Sequence, residues 1–263
     1  MKRPIGVIDS GSGGLTVRMS IVRELPGEST IYVGDHKYLP YGEKPAGFIR
    51  QRISRLIRYL LTRRIKLVVI ACNTATVAGI DDYRKEFPGL PVVGVVPVVK
   101  KAAEVTRTGH IAVLSTSFTA GSAYQKELIR NFTRGKQVIN LAAPDLVTKI
   151  EEGQTDTPEI TRILTASLIK LRGKPVDTLA LGCTHYPFIR DTISRIVGDR
   201  ITILDSGDAV ARHVRRILTS NNALQRSNGQ THRFVTTGDP VRVNRSVSRL
   251  LREKVKFIGV DLD

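Results

Sequence analysis

The sequence predicts an α/β fold built on buried parallel sheet, and three observations predict it. Short uninterrupted apolar runs recur along the 263-residue chain, as strands covered on both faces require. These runs alternate with segments of helical periodicity, the pattern of strand–helix–strand crossovers. A composition of 41% hydrophobic and 25% charged residues supplies a packed core and excludes a disordered or fibrous chain. At about 150 residues per domain, the length fits one large or two medium domains.

Each element follows from its residues. Pro4 to Ile8 reads as a short buried strand, Asp9 to Gly14 as a Gly-rich turn, and Leu15 to Leu25 as a helix. Ile31 to Val33 is a second strand, and Asp35 to Pro45, rich in Pro, Gly and Tyr, is an irregular loop. In the next helix Ile49, Ile53, Leu56, Ile57, Leu60 and Leu61 share one face, while Arg50, Arg52, Arg55, Arg58, Arg63 and Arg64 mostly ring the other. It ends before Lys66, and Leu67 to Ala71 is a continuous apolar strand. The second half repeats the plan, with strands at Ile111 to Leu114, Val138 to Leu141, Thr178 to Leu181 and Ile201 to Leu204. Near the end, Arg242, Arg245, Arg249 and Arg252 fall at helical spacing beside an apolar stripe of Val243, Val247, Leu250 and Leu251.

Two local similarities point to an internal duplication. Ile5 to Gly14 (IGVIDSGSGG) resembles Ile111 to Gly121 (IAVLSTSFTAG), and Val68 to Ala75 (VVIACNTA) resembles Thr178 to Tyr186 (TLALGCTHY). The first pair is offset by 106 residues and the cysteines by 111, so one insertion reconciles them and sets Cys72 and Cys183 at equivalent positions. Chance matching of short apolar runs is the rival reading.

Two cysteines are too few for a disulfide framework or a four-thiolate zinc site, and in a reducing compartment both are free thiols. The longest apolar stretch, Leu90 to Val99, is about half a membrane span and is broken by Pro91 and Pro97. The N-terminus lacks the apolar core of a secretory signal, so a cytoplasmic protein is expected, with no membrane partner. The net charge of +17 suits a polyanion such as nucleic acid, and it equally suits a small anionic substrate. The arginine face from Arg242 to Arg252 is the nucleic-acid candidate, and a merely solvated helix face is its bland alternative.

Each cysteine directly follows an apolar strand, in ACNTAT (Ala71 to Thr76) and GCTHYP (Gly182 to Pro187), where α/β sheets bind ligands. Both thiols are either buried core residues or acid–base groups. A free thiol has a pKa of about 8.5, so catalysis needs help from a helix N-terminus or a cation. Asn73, Thr74, Thr76 and Thr184 offer side-chain hydrogen bonds nearby, and His185 either shares a proton with Cys183 or caps the loop. The turn Asp9-Ser10-Gly11-Ser12-Gly13-Gly14 fails both nucleotide-loop patterns, since Thr16 stands where the third glycine is needed and no Gly-Lys-Ser/Thr follows. It leaves a strand-end Asp9, as ligand-site acid or helix cap, and glycines that let backbone approach a ligand closely. Two thiols, an acid and a histidine, with no nucleotide, flavin or metal motif, point to proton transfer by side chains alone. Thiols on opposite sides of one carbon can remove a proton from one face and deliver one to the other, which is racemisation or epimerisation. A nucleophilic thiol is the alternative, and it leaves one cysteine idle.

Ile8 to Leu15 (IDSGSGGL), Tyr38 to Lys44 (YLPYGEK), ACNTAT, Val92 to Ala102 (VVGVVPVVKKA), LGCTHYP and Leu204 to Gly207 (LDSG), in that order, resemble the cofactor-independent aspartate/glutamate racemase family. Thr237-Gly238-Asp239-Pro240 resembles its C-terminal region. The resemblance implies direct interconversion of L- and D-glutamate without pyridoxal phosphate, other cofactor or metal, supplying D-glutamate for peptidoglycan. It implies that Cys72 handles the proton of the D-enantiomer and Cys183 that of the L-enantiomer, with Asp9 supporting Cys72 and His185 supporting Cys183. Asp9, Ser10, Tyr41, Gly42, Asn73, Thr74, Thr184 and His185 match substrate-binding positions. Glu151 is carried over as a helper to His185 from Pro144 to Glu151, where Thr148 and Lys149 depart from the usual Pro and Leu and Glu152 is the neighbouring alternative. Ser115 to Thr119 departs from the usual G-T-x-x-T, which puts that loop's geometry in question. The resemblance further implies two similar parallel-sheet lobes related by a pseudo-twofold axis, with the active site in the cleft between them. Residues 1–94 and 207–263 form lobe one, and 95–206 form lobe two. Homodimers are common in the family, an aspartate or other amino-acid racemase is the nearest rival activity, and some members bind DNA gyrase as a secondary partner.

Overall fold

The computed structural model describes residues 3–96, 98–225 and 229–263; Met1, Lys2 and Pro97 of the segments discussed above lie outside the described residues. The first half runs β1 (Ile5–Asp9), α1 (Leu15–Glu24), β2 (Thr30–Gly34), α2 (Ala46–Thr62), β3 (Leu67–Ile70), α3 (Asn73–Glu86), β4 (Val92–Gly94) and α4 (Val99–Val105). Then follow β5 (His110–Ser115), α5 (Ser117–Gly121), α6 (Ala123–Phe132), β6 (Gln137–Ala142), α7 (Leu146–Glu151), α8 (Pro158–Leu168), β7 (Thr178–Gly182), α9 (Arg190–Val197) and β8 (Thr202–Leu204). The chain ends with α10 (Gly207–Ser220), β9 (His232–Thr236), α11 (Pro240–Leu251) and β10 (Phe257–Gly259).

The strands form two wholly parallel sheets, one ordered β10-β9-β2-β1-β3-β4 and the other β6-β5-β7-β8. The block β2-β1-β3-β4 therefore repeats as β6-β5-β7-β8, with β1 equivalent to β5 and β3 to β7. This is the topology that the paired segments IGVIDSG/IAVLSTS and VVIACN/LALGCT anticipate. The sequence reading left β4, β9 and β10 unassigned; β4 forms one edge of the larger sheet, and β9 and β10 lie at the other beyond β2.

Alternation along the strands assigns the two faces of the larger sheet. Ile8, Val68 and Ile70 point to α2 and α3, meeting Ile53, Leu56, Ile57 and Leu60. Ile5, Val7, Leu67 and Val69 point the other way, to Leu15 and Ile21 of α1, Val210 and Val214 of α10, and Val247 of α11. Arg52 is the exception on the basic face of α2: it is buried and holds both carboxylate oxygens of Asp35, at 2.9 and 3.1 Å. On α11, Val243, Val247 and Leu250 are buried while Arg242, Arg245, Arg249 and the following Arg252 are exposed.

In each sheet the chain reverses its winding direction beside the first strand, between β1 and β3 and between β5 and β7. Such switch points open a crevice at the carboxyl ends of the strands. Asp9 and Cys72 stand at one of these points; Ser115 and Cys183 stand at the other.

Candidate active site

Both cysteines line one cavity of about 230 Å³, small even for a drug-sized ligand site, together with Ser10, Tyr41, Gly42, Asn73, Thr74, Thr116, Thr184 and His185. Among the described residues no Lys or Arg lines it.

Cys72 leaves β3 in extended conformation and is the N-cap of α3, its sulfur accepting the Ala75 N–H at 3.4 Å. Its own thiol donates to Ser10 Oγ at 3.6 Å. The first N–H groups of α3, on Asn73 and Thr74, are among those a helix leaves without intrahelical acceptors. Burial, then the charge of Asp9, pushes the Cys72 thiol up to about 12, against the opposing hydrogen bonds with Ala75 and Ser10. Its surroundings thus favour the protonated thiol over the thiolate.

Cys183 is placed differently. Its Sγ lies 3.7 Å from His185 Nδ1, and His185 Nε2 meets Glu151 Oε1 at 2.7 Å. Glu151 ends α7 and its carboxylate also accepts the backbone N–H and the hydroxyl of Ser12. Burial alone would raise the Glu151 carboxyl, but the hydrogen bond and charge of His185, the charge of His36 and the Ser12 N–H outweigh it and hold it at about 2. Burial likewise opposes charge on His185, yet the hydrogen bonds to Cys183 and Glu151 lift its pKa well above the ordinary value.

Asp9 is fully buried. It accepts the Gly11 N–H at 2.7 Å and the Thr184 hydroxyl at 3.3 Å, and α1 begins after Gly14 with no side-chain cap. Its influence on Cys72 is therefore one of charge, while the thiol itself donates to Ser10 Oγ and accepts from the Ala75 N–H. Burial raises the Asp9 carboxyl, with the His185 charge working against this.

The glycines of the turn serve a purpose that sequence reading assigned to ligand approach. A Cβ on Gly13 would lie 2.5 Å from His185 Nδ1, and one on Gly11 would lie 2.3 Å from Glu151 Oε1. They make room for two side chains from the segment that carries the second sheet. Tyr41 reaches the cavity from the loop after β2, its hydroxyl donating to Asp35 at 2.5 Å. Thr116 and Thr119, which the sequence reading did not single out, join Thr74 in a hydroxyl cluster with separations of 3.0 to 3.2 Å. Their signal was that they keep both threonines of G-T-x-x-T, with Ser115 in the glycine's place, in a loop equivalent to the DSGSGG turn. Glu152 is not part of this arrangement; it pairs with Lys149 and Gln154 at the surface.

Among the described residues no three His, Cys, Asp or Glu side chains are grouped to hold a metal, and no helix is long and apolar enough to cross a membrane. Two parallel sheets thus each present a thiol, at a switch point, to one small cavity. Residues 5–214 match the Asp/Glu/Hydantoin racemase family. A glutamate racemase of Pseudomonas putida KT2440 is 44% identical over 237 residues, covering 90% of this chain and 89% of that protein. Glutamate racemase isoform RacE1 from Bacillus anthracis superimposes with a TM-score of 0.90 at 34% identity, covering 99% of this chain and 98% of that one. The Francisella tularensis glutamate racemase, solved in complex with D-glutamate, gives 0.88 at 28% identity and covers 100% and 98%. The chain belongs to the Asp/Glu/Hydantoin racemase family and is an isomerase.

Proposed function

We propose that this chain interconverts L- and D-glutamate by moving protons between the α-carbon and two cysteines, with no cofactor. The observation that carries the reading is the placement of Cys72 and Cys183 at the ends of equivalent strands, lining the same small cavity. In the L-to-D direction Cys183, as thiolate, forms an S–H bond while the Cα–H bond breaks, and the electron pair passes into the α-carboxylate as an enolate. Cys72 then gives its thiol proton to the opposite face of Cα, and its S–H electron pair stays on sulfur. One proton is taken and one returned, so the site ends with the two sulfurs exchanged in protonation, poised for the reverse reaction. The His185–Glu151 pair serves Cys183, and Ser10 with the first turn of α3 serves Cys72. Ser10, Asn73, Thr74 and Thr184 supply donors for the substrate carboxylates, Tyr41 and Gly42 bound the far end, and preorganised donors stabilise the charge that develops on the enolate. The lobes are taken as 1–94 with 207–263, and 95–206. D-Glutamate made in this way enters peptidoglycan.

The test is incubation of purified protein with L-glutamate, and separately L-aspartate, in D₂O without pyridoxal phosphate. Optical rotation decays and deuterium enters Cα for glutamate, and Cys72→Ser or Cys183→Ser nearly abolishes both. Full activity in both variants would overturn the two-thiol assignment, and preference for aspartate would move the substrate. Rescue of a D-glutamate auxotroph checks the cell-wall role.

A further inference from the structure

His36, in the loop after β2, touches neither cysteine and does not line the cavity, yet it lies at the far end of a buried hydrogen-bond chain that ends on Cys183. Its Nε2 is 3.0 Å from Ser12 Oγ, Ser12 Oγ is 2.9 Å from Glu151 Oε2, and Glu151 holds His185. Proton counting fixes the direction of the first links. An ionised carboxylate only accepts, so the single hydroxyl proton of Ser12 goes to Glu151. Ser12 Oγ must then accept from His36, and the Nε2 of His36 carries a proton.

The imidazole has a built seat. Nδ1 lies 2.9 Å from Thr236 Oγ1 and 3.1 Å from the Gly34 carbonyl oxygen, and the ring meets Phe257 edge-on with centroids 5.8 Å apart. A Cβ on Gly34 would come within 2.3 Å of the ring and one on Gly238 within 2.8 Å of His36 Cβ, so two backbone positions are cleared for this side chain. Its side chain is 8% exposed. Strands β2, β9 and β10 of the larger sheet thus aim one N–H at the residue that orients Glu151.

We infer that His36 is a positioning residue for the Cys183 half of the reaction, fixing the Ser12 hydroxyl on Glu151 and, through Glu151, the orientation of His185. This rests on the two-cysteine reading above. Losing one link in a buried, charge-assisted chain corresponds to roughly a tenfold to hundredfold fall in rate.

A racemase interconverts species of equal free energy, so kcat/KM falls equally in both directions whichever thiol is impaired. The isotope effect separates the halves. With His36→Ala, removal of the proton by Cys183 becomes more rate-limiting, so the deuterium effect on kcat/KM for α-deuterated L-glutamate rises. That for α-deuterated D-glutamate falls toward one, because its slow step is now reprotonation from Cys183. His36→Gln, which keeps an N–H donor on a side chain of similar reach, restores most of the rate and the wild-type isotope pattern. If His36→Ala does not fold, Ser12→Ala, which cuts the same chain one link later, gives the same asymmetry. An unchanged rate, or a loss with no shift in the balance of the two isotope effects, would overturn the inference. Wild-type protein inactive on both enantiomers would overturn the functional reading and this inference with it.

Discussion

Gly13→Ala is the sharpest steric test of the site. The backbone at Gly13 is not left-handed, so the substitution is a question of space alone. The new methyl would lie 2.5, 2.7 and 2.8 Å from Nδ1, Cε1 and Cγ of His185. Non-bonded carbon contacts settle at about 3.5–4.0 Å, so the ring must retreat by roughly 1 Å. It has little room to do so, being buried between Cys183 Sγ at 3.7 Å and Glu151 Oε1 at 2.7 Å. A displacement of about 1 Å at a reacting group costs on the order of 100-fold, or about 2.7 kcal/mol of barrier. Overpacking of this kind costs about 1–3 kcal/mol of stability, a fall in Tm of a few degrees for a chain of this size. Polarimetry on L-glutamate gives kcat/KM and a thermal melt confirms the fold. A variant that keeps half of the wild-type kcat/KM would show that His185 need not hold this position, and the assignment of His185 to Cys183 would fail.

Glu151→Gln addresses pH. The Glu151 carboxyl is held at about 2 rather than at its ordinary value of 4.5, so its contribution to stability is present above that ordinary value and lost as pH falls toward 2. The shift corresponds to roughly 3 kcal/mol. The urea midpoint of the wild type therefore declines more steeply than that of Glu151→Gln between about pH 5 and pH 2, and parallel curves would refute the assignment. Arg52→Met leaves Asp35 buried with its ion-pair partner removed, and breaking such a pair costs about 3–5 kcal/mol. The urea midpoint measures the loss, and a shift below about 1 kcal/mol would show that Tyr41 and Thr237 satisfy Asp35 by themselves.

Much of the fold was legible because parallel strands buried on both faces write themselves as continuous apolar runs. LVVI and TLALG are of this kind, and a cysteine follows each within two residues. The amphipathic pattern of α2 was equally clear, although Arg52 shows that a basic stripe can hide one inward-facing charge. His232–Thr236 went unassigned because it pairs with β2, some 200 residues earlier, and Phe257–Gly259 because it pairs only with His232–Thr236; neither shows a local period. In the site, the cysteines stood out by position. His36 did not, since nothing in the local sequence shows that a loop histidine will meet Ser12 and, through it, a glutamate more than 100 residues on. The glycines of DSGSGG suggest close approach of backbone to a ligand, and the side chains that press against Gly11 and Gly13, Glu151 and His185, are visible only in three dimensions.

Glu151 and His185, which form a hydrogen-bond chain to Cys183, come from α7 and the loop after β7, but the turn that fastens them follows β1: Ser12 grips Glu151, Gly13 abuts His185, and Asp9 receives Thr184. Any parting of the cleft wide enough to pull this turn away would unfasten the carboxylate from its clamp. On the two-cysteine reading proposed above, admission of an amino acid and assembly of the proton-handling apparatus are therefore coupled by geometry, and a gaping molecule is a disarmed one.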